Sequence, residues 1–187
     1  MSADADINRI LDFWLDEIGP KGWWMPDAAL DKRVRGAFLD IWDDAMAGRL
    51  SHWMANPRGT LALLIILDQF SRNMFRGTPD AFRADPMALR VTKTAITRGQ
   101  DLTQPEPARM FFYLPLEHSE HLADQARAVR LMMSRLTDNQ EFLSHAIQHR
   151  EVIRLFGRFP SRNKVLGRQD SEAELAYRAQ GGYMSGA

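Results

Sequence analysis

Apolar residues recur along most of the chain at intervals of three and four positions, the spacing of one face of an α-helix. The first such pattern comprises Ile7, Ile10, Leu11, Trp14, Leu15 and Ile18. Gly19 and Pro20 end it, because proline cannot continue the backbone hydrogen-bond ladder. No segment of useful length alternates with the period of two that a strand requires. The pattern therefore predicts an all-α protein.

The run Thr60–Phe70 is apolar on all sides, which predicts a helix in the middle of the fold. Further helices are predicted near residues 30–47, 86–98, 116–136 and 139–156. Ser171 and Glu174 have the spacing of a capping box, which predicts a short last helix. Because the helices are joined by short breaks, we expect antiparallel pairs, either closed in a bundle or stacked as a solenoid.

Length and composition favour one soluble domain. The 187 residues are 45% apolar, enough for a sizeable core. We assign residues 1–180 to a single all-α domain and 181–187 to a disordered tail. The longest apolar run, Leu61–Leu67, is far shorter than the roughly 20 residues that span a bilayer, and the acidic N-terminus does not resemble a secretory signal. We expect a cytoplasmic protein that does not bind membranes.

Charge and cysteine content exclude several classes of function. The 24 basic residues are balanced by 24 acidic ones, whereas a general nucleic-acid binder needs excess positive charge. The absence of cysteine excludes disulfides, thiol nucleophiles and iron–sulfur clusters. No Walker-type loop, dinucleotide fingerprint, nucleophile elbow or zinc-protease motif occurs. We therefore expect no nucleic-acid partner, no cofactor and no metal.

Positive charge is nevertheless concentrated in one segment. Residues 150–168 contain five arginines, Lys164 and a single acid, Glu151, which gives a local net charge of +5. A guanidinium offers a planar fork of donors that matches a carboxylate or a phosphate, so the segment is a candidate anion site. The alternative is that it docks on the acidic N-terminal part of the chain or stays solvated.

One motif occurs twice, each time where a helix ends. Phe70-Ser71-Arg72-Asn73 and Phe159-Pro160-Ser161-Arg162-Asn163 are each followed, four residues after the asparagine, by a glycine. Arginine complements the dipole of a helix C-terminus and asparagine tolerates a left-handed cap, so both corners have a structural explanation. The functional alternative is a matched pair of anion-contacting corners, with Arg76 as a further contact. Asp68, four residues before the first arginine, is an equally good ion-pair partner for it.

Two histidines are candidates for acid–base chemistry. His149 shares the apolar stripe of its helix with Phe142, Ala146, Ile153 and Phe156. A buried imidazole must be hydrogen-bonded, and most such groups are structural. His118 flanks the apolar stripe of the preceding helix, and Glu120 follows two residues later. His145 and His149 lie four residues apart but lack a third ligand, which argues against a metal site.

Three ordered motifs resemble a known family. They are Leu67–Gly77, Tyr113–Glu120, and Phe156–Asn163 with Leu166–Arg168. Together with Ile10–Trp14 and the pair Trp23-Trp24, they are similar to the bacterial domain-of-unknown-function family 924. The resemblance implies a tetratricopeptide-like right-handed superhelix of antiparallel helix pairs, and it implies no particular reaction.

The resemblance also selects candidate site residues, position by position. They are Asp68, Gln69, Arg72, Asn73, Arg76, His118, Ser119, Glu120, His149, Arg158, Arg162, Asn163 and Arg168. The chain departs from the family at Ser71, where proline is common, and at Ser161, where histidine is common. The second departure argues against a mechanism that needs an imidazole beside Arg162.

Three functions fit these residues. The first is a module that binds an anionic small molecule or a peptide through the arginines. The second is a small-molecule enzyme with His118 or His149 as general acid or base, oriented by Glu120. The third is a purely structural network. A shared site requires that Arg72 or Arg76 lies in one cleft with His118 and with Arg158 or Arg162. We also expect His149 to be buried with a hydrogen-bond partner.

Overall fold

The computed structural model describes residues 3–138 and 140–183, and these form helices and turns with no strand among them. The predicted all-α class is confirmed, whereas the superhelical arrangement of the helix pairs stays a prediction. Of the expected tail 181–187, the structure describes the first three residues, and Tyr183 packs on His149. Residues 184–187 lie outside the described residues.

The helices of the described residues follow one another closely. They are α1 (Ala3–Leu11), α2 (Gly19–Gly22), α3 (Ala28–Met46), α4 (Pro57–Leu64), α5 (Ser71–Met74), α6 (Asp85–Thr97), α7 (Leu114–Glu117), α8 (Leu122–Arg135), α9 (Gln140–Phe156) and α10 (Glu172–Ala179). The π-helical segments are Asp12–Ile18 and Ile65–Phe70, and the 3-10 turns are Ser51–Ala55, Pro79–Phe82, Gln100–Thr103, Ala108–Phe112 and Pro160–Arg162. None of the helices within the described ranges is long and apolar enough to cross a membrane.

Capping side chains fix where helices begin. Asp27 accepts a hydrogen bond from the backbone N–H of Ala29 at 2.7 Å and so starts α3, which carries Asp31 in its first turn. Ser171 and Glu174 form the predicted capping box of α10. The local pattern was sufficient to predict that helix start because both partners of the box lie within four residues.

One continuous helical stretch passes through the middle of the molecule, as the apolar run predicts. It comprises α4, the π-helical segment Ile65–Phe70 and α5, and every residue from 59 to 71 is buried. π-helical turns inside α-helices lie frequently at functional sites. Here the turn carries Asp68 and Gln69, two buried polar residues in an apolar run.

The core has a main part and a smaller satellite. In the main part, Trp14 packs edge-on against Phe70 of the central stretch, with ring centroids 5.3 Å apart. The satellite comprises Val152, Ile153 and Phe159. His149 meets Phe159 at 5.6 Å and so borders the satellite. Polar side chains lie between the central stretch and the satellite.

Candidate functional site

A cleft of about 660 Å³ opens beside the central stretch, within the size range of small-molecule pockets. Its lining includes six of the residues selected from the sequence: Gln69, Arg72, Asn73, Arg76, His118 and His149. A wider groove of about 1130 Å³ runs between α1 and α3 and contains none of them. The cleft is therefore the candidate site.

His118 is bound to a buried carboxylate. It follows α7 directly, and its Nδ1 lies 2.7 Å from Oδ1 of Asp68. Because a carboxylate oxygen only accepts, Nδ1 is the donating nitrogen, and Nε2 is left as the acceptor of a neutral ring. Gln69 donates to the other oxygen of Asp68, and Arg72 lies 3.6 Å from Oδ1. The contact with Arg72 is the i, i+4 pair expected from the sequence.

The surroundings of Asp68 keep it ionised. Burial acts to raise its pKa, but the charge of His118, the hydrogen bond from that ring and the charge of Arg72 outweigh burial and lower the pKa to about 2. An ionised Asp68 holds the proton of His118 on Nδ1 and stabilises the ring when Nε2 accepts a second proton.

His149 forms a second pair of the same kind. Its Nδ1 lies 2.8 Å from Oε1 of Glu117, 2.9 Å from the carbonyl oxygen of His145 and 3.3 Å from the hydroxyl of Tyr183. The residue is 7% exposed, and Glu117 is buried as well. Both predictions for His149, burial and a hydrogen-bonded imidazole, are confirmed.

The two carboxylate–histidine pairs adjoin each other. The ring centroids of His118 and His149 are 6.2 Å apart, with an interplanar angle of 57°. Among the residues that the structure describes, none forms a hydrogen bond with Nε2 of either ring. Two imidazoles at this separation can act on one bound molecule, one accepting a proton while the other donates one.

One edge of the cleft is a network around Asp31. Arg76 binds both oxygens of this carboxylate, at 2.6 and 2.9 Å, and Asn73 donates to it at 2.8 Å. Burial acts to raise the pKa of Asp31, but the hydrogen bonds from Arg76 and Asn73 outweigh it and lower the pKa. The charge of Arg76 is thus already balanced within the protein.

Arg72 lines the cleft, and Arg162 lies behind it. Both guanidiniums contact Asp85, at 2.8 and 3.4 Å, and both stack on the ring of Phe82. Arg162 also donates to the carbonyl oxygen of His118 at 3.0 Å. Burial, together with the charge of Arg72, lowers the pKa of Arg162 to about 10. The first and third motifs therefore meet beside His118, although Arg162 supports the wall and does not line it.

Glu120 does not orient a histidine, which corrects the expectation from the sequence. Its carboxylate binds two nitrogens of Arg168, at 2.8 and 3.0 Å, and accepts from the backbone N–H of Phe159 at 2.8 Å. Burial acts to raise the pKa of Glu120, but these hydrogen bonds lower it. The carboxylates that hold the imidazoles are those of Asp68 and Glu117.

Other residues selected from the sequence lie outside the cleft lining as well. Arg158 binds both oxygens of Glu174 at 2.7 Å. Ser119 donates to Asp124 at 3.0 Å, in the first turn of α8. Asn163 is fully buried within the third motif. None of these three side chains contributes to the lining of the cleft.

The remaining wall of the cleft is apolar and aromatic. Trp24 packs edge-to-face on Trp23 at 6.1 Å and on Phe142 at 6.2 Å. Trp24 is 48% exposed and Met25 is 65% exposed, whereas the other four tryptophans are at most 7% exposed. Exposed apolar surface gathered at a concave site is typical of a binding surface.

Sequence reasoning missed several of these residues. Glu117 stands three residues after Leu114, an acid in an apolar stripe, and that local signal could have identified it. Asp31 and Asp85 lie in the first turns of their helices, where acids are ordinarily explained by the helix dipole. Their pairing with distant arginines has no local signature.

The described ranges contain no group of three His, Asp or Glu side chains placed to hold a metal ion. Nδ1 of His145 lies 2.8 Å from the hydroxyl of Tyr183, and Nδ1 of His149 lies 3.3 Å from the same hydroxyl and 2.8 Å from Oε1 of Glu117. Both rings are thus held at Nδ1 by side chains of the protein.

Comparisons with known proteins agree with this fold. The family model described as a bacterial protein of unknown function, DUF924, matches residues 10–182. A solved structure of a protein of unknown function from Agrobacterium tumefaciens is similar, with 38% sequence identity and a TM-score of 0.90, over 96% of this chain and 99% of that chain. No curated protein matches significantly.

Proposed function

The chain belongs to the bacterial family of unknown function DUF924, and we propose that this member is an acid–base enzyme acting on a small molecule. One observation carries the proposal. His118 and His149 are each held at Nδ1 by a buried carboxylate, and their rings lie 6.2 Å apart on the wall of one cleft. Both Nε2 atoms are then the nitrogens that face a substrate.

The four residues have distinct roles in this proposal. Asp68 and Glu117 are positioning residues, which fix the tautomer and the direction of each ring and stabilise the imidazolium once it forms. One ring enters the reaction neutral, and its Nε2 removes a proton from the substrate. The other ring enters as an imidazolium and gives its Nε2 proton to a different atom, so the two rings exchange their protonation states. Reactions composed of two such transfers, for example enolisation next to a carbonyl group, fit this geometry.

The arginines have a supporting role. Each of the five arginines expected to contact an anion lies within 3.4 Å of a carboxylate oxygen. The positive charge of residues 150–168 is thus balanced partly by acids elsewhere in the chain, such as Asp85 and Glu120. An anionic small molecule or a peptide remains a second candidate ligand, favoured by the exposed guanidinium of Arg76, whose side chain is 46% exposed.

Proton exchange tests the enzyme proposal without knowledge of the product. The protein is incubated in D₂O with a panel of small carbonyl compounds, and deuterium at the α-carbon is followed by NMR. A parallel panel of esters and amides reports hydrolysis. We expect turnover of at least one compound, and a rate lowered about 100-fold or more in His118→Ala and in His149→Ala, because a positioned acid or base contributes about that much.

His121→Ala is the matched control, since His121 is exposed and its ring has no hydrogen-bond partner among the described residues. Its turnover is expected to equal that of the unchanged protein. Turnover that survives in both His118→Ala and His149→Ala would contradict the proposal. Binding of panel members without exchange or hydrolysis would favour the binding module.

A further inference from the structure

The lining of the cleft contains two groups of residues that differ in chemistry. One group comprises the two histidines and Arg72, and the other comprises Trp24, Met25 and Phe142. We propose that the second group, called here the aromatic wall, binds an aromatic group of the substrate and that this substrate carries no negative charge. The inference rests on the proposed acid–base function of the same cleft.

Contacts within the protein hold the aromatic wall in place. The indole N–H of Trp23 donates to the carbonyl oxygen of Trp14 at 2.7 Å, and Trp24 packs edge-to-face between Trp23 and Phe142. A preformed wall loses little conformational entropy when a ligand binds. Because Trp24 and Met25 are about half exposed or more, an aromatic ring placed on them removes apolar surface from water.

The separation of Phe142 from His149 along α9 limits the shape of the substrate. The two residues are seven positions apart, which corresponds to about 10 Å along the axis at about 1.5 Å per residue. An aromatic ring that packs against Phe142 is therefore separated by a short spacer from the atom that exchanges a proton with the histidines.

The charges around the cleft disfavour an anion. Three guanidiniums, those of Arg72, Arg76 and Arg162, lie at or behind its lining. Five carboxylates lie in the lining or bind to it: Glu117 and Glu141 line the cleft, and Asp31, Asp68 and Asp85 pair with the arginines. With both imidazoles neutral, the balance is negative. Each guanidinium of this set already contacts a carboxylate, so an anion would bring further negative charge to an excess of carboxylates. A neutral or cationic head group would not be repelled in this way.

Four probes of related shape test both halves of the inference at pH 8 and constant ionic strength. They are 2-phenylethanol, phenethylamine, phenylacetate and ethanol, and binding is followed by tryptophan fluorescence and by the indole N–H signals in NMR. We expect 2-phenylethanol and phenethylamine to bind, phenylacetate to bind at least fivefold more weakly, and ethanol not to bind. Trp24→Ala should lower the affinity for 2-phenylethanol at least fivefold, and Trp24→Phe should keep most of the affinity of the unchanged protein.

Met133→Ala is the matched control, because Met133 is 62% exposed on α8 and does not line the cleft. Binding of 2-phenylethanol should be unchanged in it. Tighter binding of phenylacetate than of 2-phenylethanol, equal binding in Trp24→Ala, or no binding of any ring-bearing probe would overturn the inference.

His118→Ala separates this inference from the proposed function. It should remove proton exchange, whereas 2-phenylethanol should still bind more tightly than ethanol does, because the aromatic wall is unchanged. If the ring-bearing probes bind as described and the D₂O panel shows no turnover, the acid–base function fails and the aromatic wall stands. If compounds without a ring are turned over as efficiently as compounds with one, the aromatic wall fails and the acid–base function stands.

Discussion

The two Ser-Arg-Asn corners of the chain are built alike, yet only the first one lines the cleft. Asn73 donates to Asp31 at 2.8 Å, and Asn163 donates to Asp170 at 2.7 Å. Each of these aspartates also accepts a hydrogen bond from an arginine outside the motif, Arg76 for Asp31 and Arg178 for Asp170. The glycine that follows each corner has a positive φ, of 78° and 66° respectively, a conformation that other residues rarely adopt.

The two corners also meet each other. Arg72 and Arg162 contact the same Asp85 and stack on the same Phe82, at 5.0 and 4.7 Å from the ring centroid. Through these shared contacts, the two copies of the motif hold two distant parts of the chain together. The chemistry of the cleft is added next to the first corner by His118 and its neighbours, not by the motif itself.

The largest expected effect comes from removing the shared carboxylate. In Asp85→Ala two poorly exposed guanidiniums lose a common partner and repel each other, so we expect the free energy of unfolding to fall by about 3–5 kcal/mol. Urea denaturation measures the change. Asp80→Ala is the control, because the ion pair of Asp80 with Arg83 is exposed and contributes about 1 kcal/mol or less. Equal losses in the two variants would show that Asp85 does not fasten the corners.

Much of this architecture could be predicted from local patterns. The all-helical class, the central stretch Thr60–Phe70 and the burial of His149 all follow from apolar spacing, since burial imposes that spacing on a helix. The capping box of Ser171 and Glu174 follows from a local hydrogen-bond rule.

The partners of the site residues could not be predicted in this way. Glu120 was expected to orient a histidine because it is near His118 in sequence, but closeness in sequence does not fix which way a side chain points after a helix ends. The actual partner, Asp68, is 50 residues away. Pairings across that separation depend on helix packing, which the periodicity of one helix does not encode.

A second, smaller effect concerns Asp68, which lies just before the first corner and makes the free energy of unfolding depend on pH. Its pKa is lowered from 3.8 to about 2 in the folded protein. The unfolded chain therefore takes up the proton first, and the stabilisation is complete above about pH 5 and is lost as the pH falls toward 2. At about 1.4 kcal/mol per pKa unit, the loss is about 2 kcal/mol.

Urea denaturation of the unchanged protein and of Asp68→Asn at several pH values between 7 and 2 measures this contribution. The variant should lack that part of the pH dependence, whereas Asp16→Asn, at an exposed position, should keep it. An identical pH dependence in Asp68→Asn would contradict the ionised state of Asp68.

The smallest effect distinguishes the serines of the two corners. Ser71 is buried, accepts from the indole N–H of Trp42 at 2.7 Å and donates to the carbonyl oxygen of Leu67 at 2.6 Å. Ser161 is partly exposed, and its side chain has no hydrogen bond within the described part of the chain. We expect Ser71→Ala to lower the free energy of unfolding by about 1 kcal/mol and Ser161→Ala to change it by less than about 0.5 kcal/mol. Equal costs would show that the corners are energetically alike.

The tautomers of His118 and His149 show whether the two buried carboxylates orient both rings. ¹⁵N NMR of protein labelled at histidine, recorded at a pH where both rings are neutral, shows which nitrogen carries the proton, and the two Ala variants assign the signals. We expect the proton on Nδ1 of both rings, held by Asp68 and Glu117, with Nε2 free to act as a base in the cleft. A proton on Nε2 of both rings would leave the cleft without a base and would contradict the proposed roles of Asp68 and Glu117.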